Sequence, residues 1–162
     1  LKNQGIPGFY QTANVPDRGG ATTREFDLDV ANELPRSRDR DYPEDHIWGT
    51  FTDFIRAVIP VAEEAGVRIG LHPDDPPVAS LGGIARCFRN FQAFERAMEI
   101  ADSDNFGLCL CAGTWAEGGP ATGKDVLEMI RHYGSHKKIF KVHFRNVDRS
   151  LPKFQETFID NG

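Results

Sequence analysis

Three short apolar runs separated by helical patterns constrain the fold of this sequence more than any other feature. They are Val67 to Leu71, Phe106 to Leu110 and Ile139 to Val142, and they close on His72, Cys111 and His143 in turn. Each run has the length of a buried parallel strand, so each polar residue would stand at a strand's carboxyl end. The separations, 39 and 32 residues, compare with roughly 31 per unit in a (β/α)8 barrel of about 250 residues. One ligand-type residue per strand end is how such barrels build metal sites.

The intervening segments carry helical periodicity. Phe51, Phe54, Ile55, Val58, Ala62 and Ala65 fall on one face of a helix starting near Trp48, with Gly66 as its stop and Pro60 expected to kink or shorten it. Phe88, Phe91, Phe94 and Met98 form an apolar stripe in a helix expected from Ile84 to Asp102, and Lys124 to His132 forms a third helix with Thr122 as cap. The order α-β-α-β-α-β implies a parallel sheet with right-handed crossovers. Residues 46–162 therefore read as regular βα units. Residues 1–45 read as a loop-rich head, with a short strand around Gly8 to Ala13, a turn at Arg18-Gly19-Gly20 and a charged stretch from Arg36 to Asp45. That head is either a solvated loop or a lid over a site.

With 162 residues, 40% of them hydrophobic and 27% charged, the chain can bury one sizeable core as a single domain. A net charge of -5 argues against nucleic acid or an anionic membrane as the main partner and favours a small molecule. Three cysteines are too few for a disulfide framework, and no signal-like or membrane-length apolar segment is present; the expected compartment is the cytoplasm. The first residue is Leu1 rather than methionine, and the turn-like Asn161-Gly162 ends the sequence, so a fragment of a longer protein is expected.

Imidazole and thiolate form a borderline-soft donor set suited to a divalent transition metal. Cys109 and Cys111 alternate on one strand and point to the same face, so periodicity alone does not choose between them; Cys111 is preferred because the strand opens into a loop there. Arg145, two residues beyond His143, points to the same side. It is either a surface ion-pair partner or a planar fork that clamps a substrate carboxylate. Asp74 and Asp75 lie in Pro73-Asp74-Asp75-Pro76, as partners that orient His72 or as turn formers. The catalytic candidates are Arg145 and Asp75, and the substrate-binding candidates are Arg145 and Asp74. Removing a proton beside a carboxylate builds enediolate charge, which a Lewis-acid metal and a cation such as Arg145 can stabilise. Asp75 is the candidate for the accompanying proton transfer.

The strings Ala57-Val58-Ile59-Pro60-Val61-Ala62-Glu63-Glu64-Ala65-Gly66-Val67 and Leu71-His72-Pro73-Asp74-Asp75-Pro76-Pro77 resemble the mannonate dehydratases. Cys111-Ala112-Gly113-Thr114, His143-Phe144-Arg145, and Arg18-Gly19-Gly20-Ala21 with Phe26 resemble further segments of that family. The resemblance implies an α/β fold, part of a (β/α)8 TIM barrel of the xylose-isomerase-like type, dependent on Mn2+ or alternatively Fe2+. It implies dehydration of D-mannonate to 2-keto-3-deoxy-D-gluconate in hexuronate catabolism, and it is compatible with a homodimer. The family's metal ligands match His72, Cys111 and His143. Its fourth ligand, an aspartate on a later strand, and the early strands of its barrel have no counterpart here, and three ligands alone leave a weaker, more open site. Two rivals stand beside this reading: another metal-dependent sugar or sugar-acid isomerase on the same barrel, and a non-catalytic zinc domain closed by His72, Cys109, Cys111 and His143.

Overall fold

The charged first turn Glu44-Asp45 and the apolar residues Trp48, Ile55, Ile59 and Ala62, spaced seven, four and three apart, dictate a long amphipathic helix. In the computed structural model, which describes residues 11–161, that helix is α2. The elements in order are β1 (Ala13–Pro16), β2 (Thr22–Asp27), α1 (Leu28–Asn32), α2 (Glu44–Glu64), β3 (Ile69–Leu71), β4 (Ser80–Leu81), β5 (Ile84–Ala85), α3 (Phe91–Ala101), β6 (Phe106–Cys111), α4 (Ala112–Gly118), α5 (Val126–Ser135), β7 (Ile139–His143), β8 (Asn146–Val147) and β9 (Lys153–Thr157).

The chain builds three sheets: a parallel one ordered β3-β6-β7, an antiparallel one ordered β1-β2-β9-β8, and the small hairpin β4-β5. The parallel sheet realises the expected βα order, and no barrel closes among the described residues. All six residues of β6 are buried, because it is the central strand with helices packed on it. Register is parallel on both sides, Leu71 beside Leu108 and Cys111 beside His143. Between β6 and β7 it slips once: Leu108 pairs with Ile139 but Cys109 pairs with Lys141, leaving Phe140 as an extra residue. Gly107 makes room for it, since a Cβ there would lie 2.8 Å from the Phe140 ring.

Two clusters fill the space between the parallel sheet and its helices. Trp48, Ile55 and Ile59 of α2 meet Ala97 of α3 and Phe106, while Phe94, Leu108, Leu110, Trp115, Met129 and Tyr133 form the second cluster. A separate cluster of Phe26, Ala31, Val78, Leu81, Val147 and Phe154 lies under the antiparallel sheet.

Several expectations change. Helix α2 continues through Pro60 to Glu64, because the bond that proline forfeits lies on the exposed side. Its buried face is rotated from the expected one, leaving Phe54 58% exposed. At its end Gly66, at φ 64°, donates to Glu63 O, and Val67 N donates to Ala62 O, the paired bonds of a glycine-terminated helix. The helix expected from Ile84 begins only at Phe91: Gly82 and Gly83, both at positive φ, turn the β4-β5 hairpin, and the Asn90 side chain caps α3 by accepting from Ala93 N. The cap of α5 is Asp125 rather than Thr122, in a reciprocal box with Glu128. Residues 13–27, expected as loop or lid, form the β1-β2 hairpin; half of the expected strand at Gly8 to Ala13 falls outside the described residues, and β1 starts at Ala13.

Phe94 is fully buried and meets the Trp115 ring edge-on at 5.3 Å. Phe94→Ala is expected to cost about 3–5 kcal/mol and Asp125→Ala about 1 kcal/mol in urea unfolding monitored by circular dichroism. Equal losses for the two would contradict this packing.

Candidate metal centre and the cleft beside it

Because β3 and β7 flank β6 in parallel, the residues at their carboxyl ends are brought together. His72, Cys111 and His143 offer donor atoms that all lie within 4.8 Å of one another. His72 Nε2 is 3.1 Å from His143 Nδ1. His72 Nδ1 lies 2.6 Å from Pro73 O, an atom that can only accept, so Nδ1 carries a hydrogen and Nε2 is the nitrogen left to face its partners, as a donor when the ring is charged and as a ligand when it is neutral. Two imidazoles and a thiolate at these separations match the spacing of donors that each sit about 2.0–2.3 Å from one transition-metal ion. The residues present therefore fit a divalent cation.

Burial disfavours the Cys111 thiolate, but a hydrogen bond from His72, the Thr114 hydroxyl at 3.2 Å, the Thr114 N–H and the charge of Arg145 outweigh it and bring the thiol down to about 7. Burial also opposes charge on His72, yet its bond to Cys111 raises it overall; burial and the neighbouring His72 charge lower His143. Burial raises Cys109 instead. Cys109 Sγ lies 3.6 Å from His143 Nε2, outside the group of three.

Arg145, expected either as a surface ion-pair partner or as a fork for a substrate carboxylate, is partly buried and paired with three carboxyl groups. Its NH1 donates to Glu156 Oε1 at 2.7 Å; its NH2 donates to Thr114 Oγ1 at 3.0 Å and to Glu117 Oε1, and lies 3.1 Å from Asp75 Oδ2. Its Nε is sealed, because Gly113 packs on it so closely that a Cβ there would lie 2.5 Å away. Glu156 also accepts both Nε and NH2 of Arg24, each at 2.7 Å. Three carboxyls thus face two guanidiniums, and the surplus negative charge is relieved where water is scarcest: burial, reinforced by the Asp75 charge and opposed by Arg145, pushes the fully buried Glu117 carboxyl strongly up. Burial works against the Arg145 charge, but Glu117 and Asp75 more than compensate and raise it.

Asp74 accepts from Phe88 N at 2.8 Å and lies 3.8 Å from Arg86 Nε, while Arg86 NH2 donates to the Asp75 carbonyl. A cleft of about 550 Å³ opens beside the three donors, lined by Arg24, Asp74, Asp75, Arg86 and Arg145 together with the donors themselves. All six site residues singled out in the sequence thus line one cleft. Thr114, Glu117 and Glu156 were not singled out; Thr114 and Glu117 face Arg145 from one turn of α4, and the spacing Cys111, Thr114, Glu117 was the available signal.

Fold and site together define a parallel βα protein with three residues able to hold a metal ion at the carboxyl edge of its sheet. The model of the D-mannonate dehydratase family (UxuA) matches residues 27–162, and the chain belongs to that family. It is 39% identical over 115 residues to mannonate dehydratase 2 of Halalkalibacterium halodurans, covering 70% of this chain and 32% of that relative. It is 31% identical over 153 residues to the mannonate dehydratase of Streptococcus pneumoniae, covering 94% and 40%. The crystal structure of mannonate dehydratase from Streptococcus suis serotype 2 superposes with a TM-score of 0.81 at 29% identity, covering 96% of this chain and 47% of that one. The chain thus spans about a third to a half of the length of these relatives.

With Cys87 raised to about 11 and Cys109 raised as well, Cys111 is the first thiol to ionise. Thiolate ultraviolet absorbance of the metal-free protein should rise by one cysteine with a midpoint near 7. Thr114→Val, which removes a donor to the sulfur, should move that midpoint upward. A first midpoint unchanged by Thr114→Val would contradict the described hydrogen bond.

Proposed function

We propose that this chain forms the metal-binding part of an enzyme that dehydrates D-mannonate to 2-keto-3-deoxy-D-gluconate in hexuronate catabolism. The observation that carries this reading is the convergence of His72, Cys111 and His143 at adjacent strand ends in a chain of the mannonate dehydratase family. The β3-β6-β7 sheet is then an arc of a xylose-isomerase-like (β/α)8 barrel, whose active sites gather at the carboxyl ends of the strands. His72, Cys111 and His143 hold Mn2+ or Fe2+. A divalent cation there supplies a Lewis acid for the negative charge that develops beside the substrate carboxylate.

The chain's own residues do the rest of what this half of the site can do. Arg145, fixed by four acceptors, contributes positive charge without having to reorganise during the reaction. Asp75 stands in the cleft wall with one oxygen on Arg145 and is the group this chain offers for moving a proton. Asp74, tied to Phe88 N, fixes the loop that orients His72 and borders the sugar-acid site. The three free cysteines support a reducing compartment such as the cytoplasm, and no helix among the described residues is long and apolar enough to cross a membrane. A closed zinc site is the second reading, favoured by the 3.6 Å approach of Cys109 to His143.

The test uses the native-length protein loaded with Mn2+ and assayed with D-mannonate, uronates and aldoses, with bound metal measured alongside. Cys111→Ser should lose more than about 100-fold in metal affinity, beyond the 10–100-fold typical for groups that merely orient a ligand, whereas Cys109→Ser should retain its metal. Comparable metal loss in both variants would favour the zinc site, and turnover of aldoses alone would reject the dehydratase.

A further inference from the structure

We propose that Arg86 forms an anion subsite in the cleft and receives the carboxylate of the sugar acid; this assignment rests on the reading of the chain as a sugar-acid enzyme. Three arginines and two aspartates line the cleft. The arginines differ in what their guanidiniums already hold. Arg145 has both terminal nitrogens engaged and its Nε sealed, so a ligand oxygen could reach its donors only by displacing Glu156, Thr114 or Glu117. Arg24 commits Nε and NH2 to Glu156 as a two-pronged pair.

Arg86 is different. Its side chain is only 9% exposed, which for a cation ordinarily demands full pairing. NH2 donates to the Asp75 carbonyl, Nε has no hydrogen-bond partner, and the nearest carboxylate oxygen, Asp74 Oδ1, stands at 3.8 Å, beyond hydrogen-bonding reach. The other Asp74 oxygen is spent on Phe88 N. NH1 makes no hydrogen bond among the described residues, and unlike Nε it is not sealed from the cleft. A largely buried guanidinium with an open donor beside a cavity is a group waiting for an acceptor, and a carboxylate oxygen is the strongest one a sugar acid carries. Arg86 reaches the cleft from the loop after the β4-β5 hairpin, and its NH2 bond to the Asp75 carbonyl fixes it relative to the His72 loop. Arg86 and the three donors line the same cleft, so a sugar acid held at Arg86 by its carboxylate can present its hydroxyl-bearing carbons to them.

Calorimetric titration of the Mn2+-loaded protein with D-mannonate and with D-mannitol, which has an uncharged alcohol in place of the carboxylate, tests the assignment. The wild type should prefer the acid. Arg86→Met should weaken D-mannonate roughly 10- to 100-fold, the range of one charge-assisted hydrogen bond, with D-mannitol and Mn2+ affinities unchanged. Wild-type affinity for the acid in Arg86→Met, or equal losses for acid and polyol, overturns it. Should Arg86→Met not fold, Arg86→Lys, which keeps the charge without NH1, decides instead: a severalfold loss for the acid alone supports the subsite and an unchanged acid affinity rejects it. The same titrations with D-gluconate and D-glucitol separate the two ideas. An Arg86-dependent preference for gluconate with no binding of mannonate sustains the subsite and rejects mannonate as substrate, whereas equal wild-type affinity for acids and polyols rejects the subsite itself.

Discussion

The burial of Arg145 among acceptors from three separate elements is the interaction on which the site depends. Asp75 comes from the loop after β3, Glu117 and Thr114 from α4, and Glu156 from β9. A charge taken out of water is tolerated only when its partners are in place, and the fully buried Glu117 would in turn be stranded without the guanidinium. The cluster therefore ties the loop after β3, helix α4 and strand β9 to the loop after β7 that carries Arg145. Through the shared Glu156, Arg24 carries the same constraint to β2, so the antiparallel sheet is fastened to the carboxyl edge of the parallel one. Thr114 closes the circuit, accepting from Arg145 and donating to Cys111, so the electrostatics of the buried cluster reach the sulfur directly.

The parallel sheet was legible in the sequence because its strands are continuous apolar runs, a pattern dictated by burial on both faces. The three donors were legible for the same reason: a histidine or cysteine that ends such a run stands where the strand leaves the core. What escaped was set by tertiary context. Ile84, Phe88 and Phe91 have helical spacing, yet the paired glycines at 82 and 83 and the Asn90 cap divide them between a hairpin and a helix start. Strand β9 buries only Phe154, leaving too little alternation to announce itself. Helix α4 spans seven residues, two of them glycine, Gly113 and Gly118, too short for a periodic signal. Glu117 looks like any surface glutamate until the fold places it beneath Arg145.

The same distinction governs the cleft. Its three arginines are alike in sequence, but one is saturated by carboxylates, one is paired across to β9, and one is sunk in the wall with donors left over. Their differences arise from neighbours contributed by remote segments, 28 residues away for Glu117 and 132 for Glu156 with Arg24. Residue type placed cations in the site; only the fold distributes them among structural and ligand-facing tasks.

The extra residue in β7 has a geometric meaning of its own. Were Leu108 paired with Ile139 and the ladder continued without a slip, Cys111 would stand opposite Val142, and His143 would lie one step further on, its ring directed to the opposite face of the sheet. Phe140 acts as a phase shifter: by spending one unpaired residue in the middle of the strand, the chain brings an imidazole level with a thiol at its end. Donor geometry at this edge is thus a readout of strand register several residues away, and a cation seated on all three donors would discriminate the correctly threaded sheet from its one-residue neighbours.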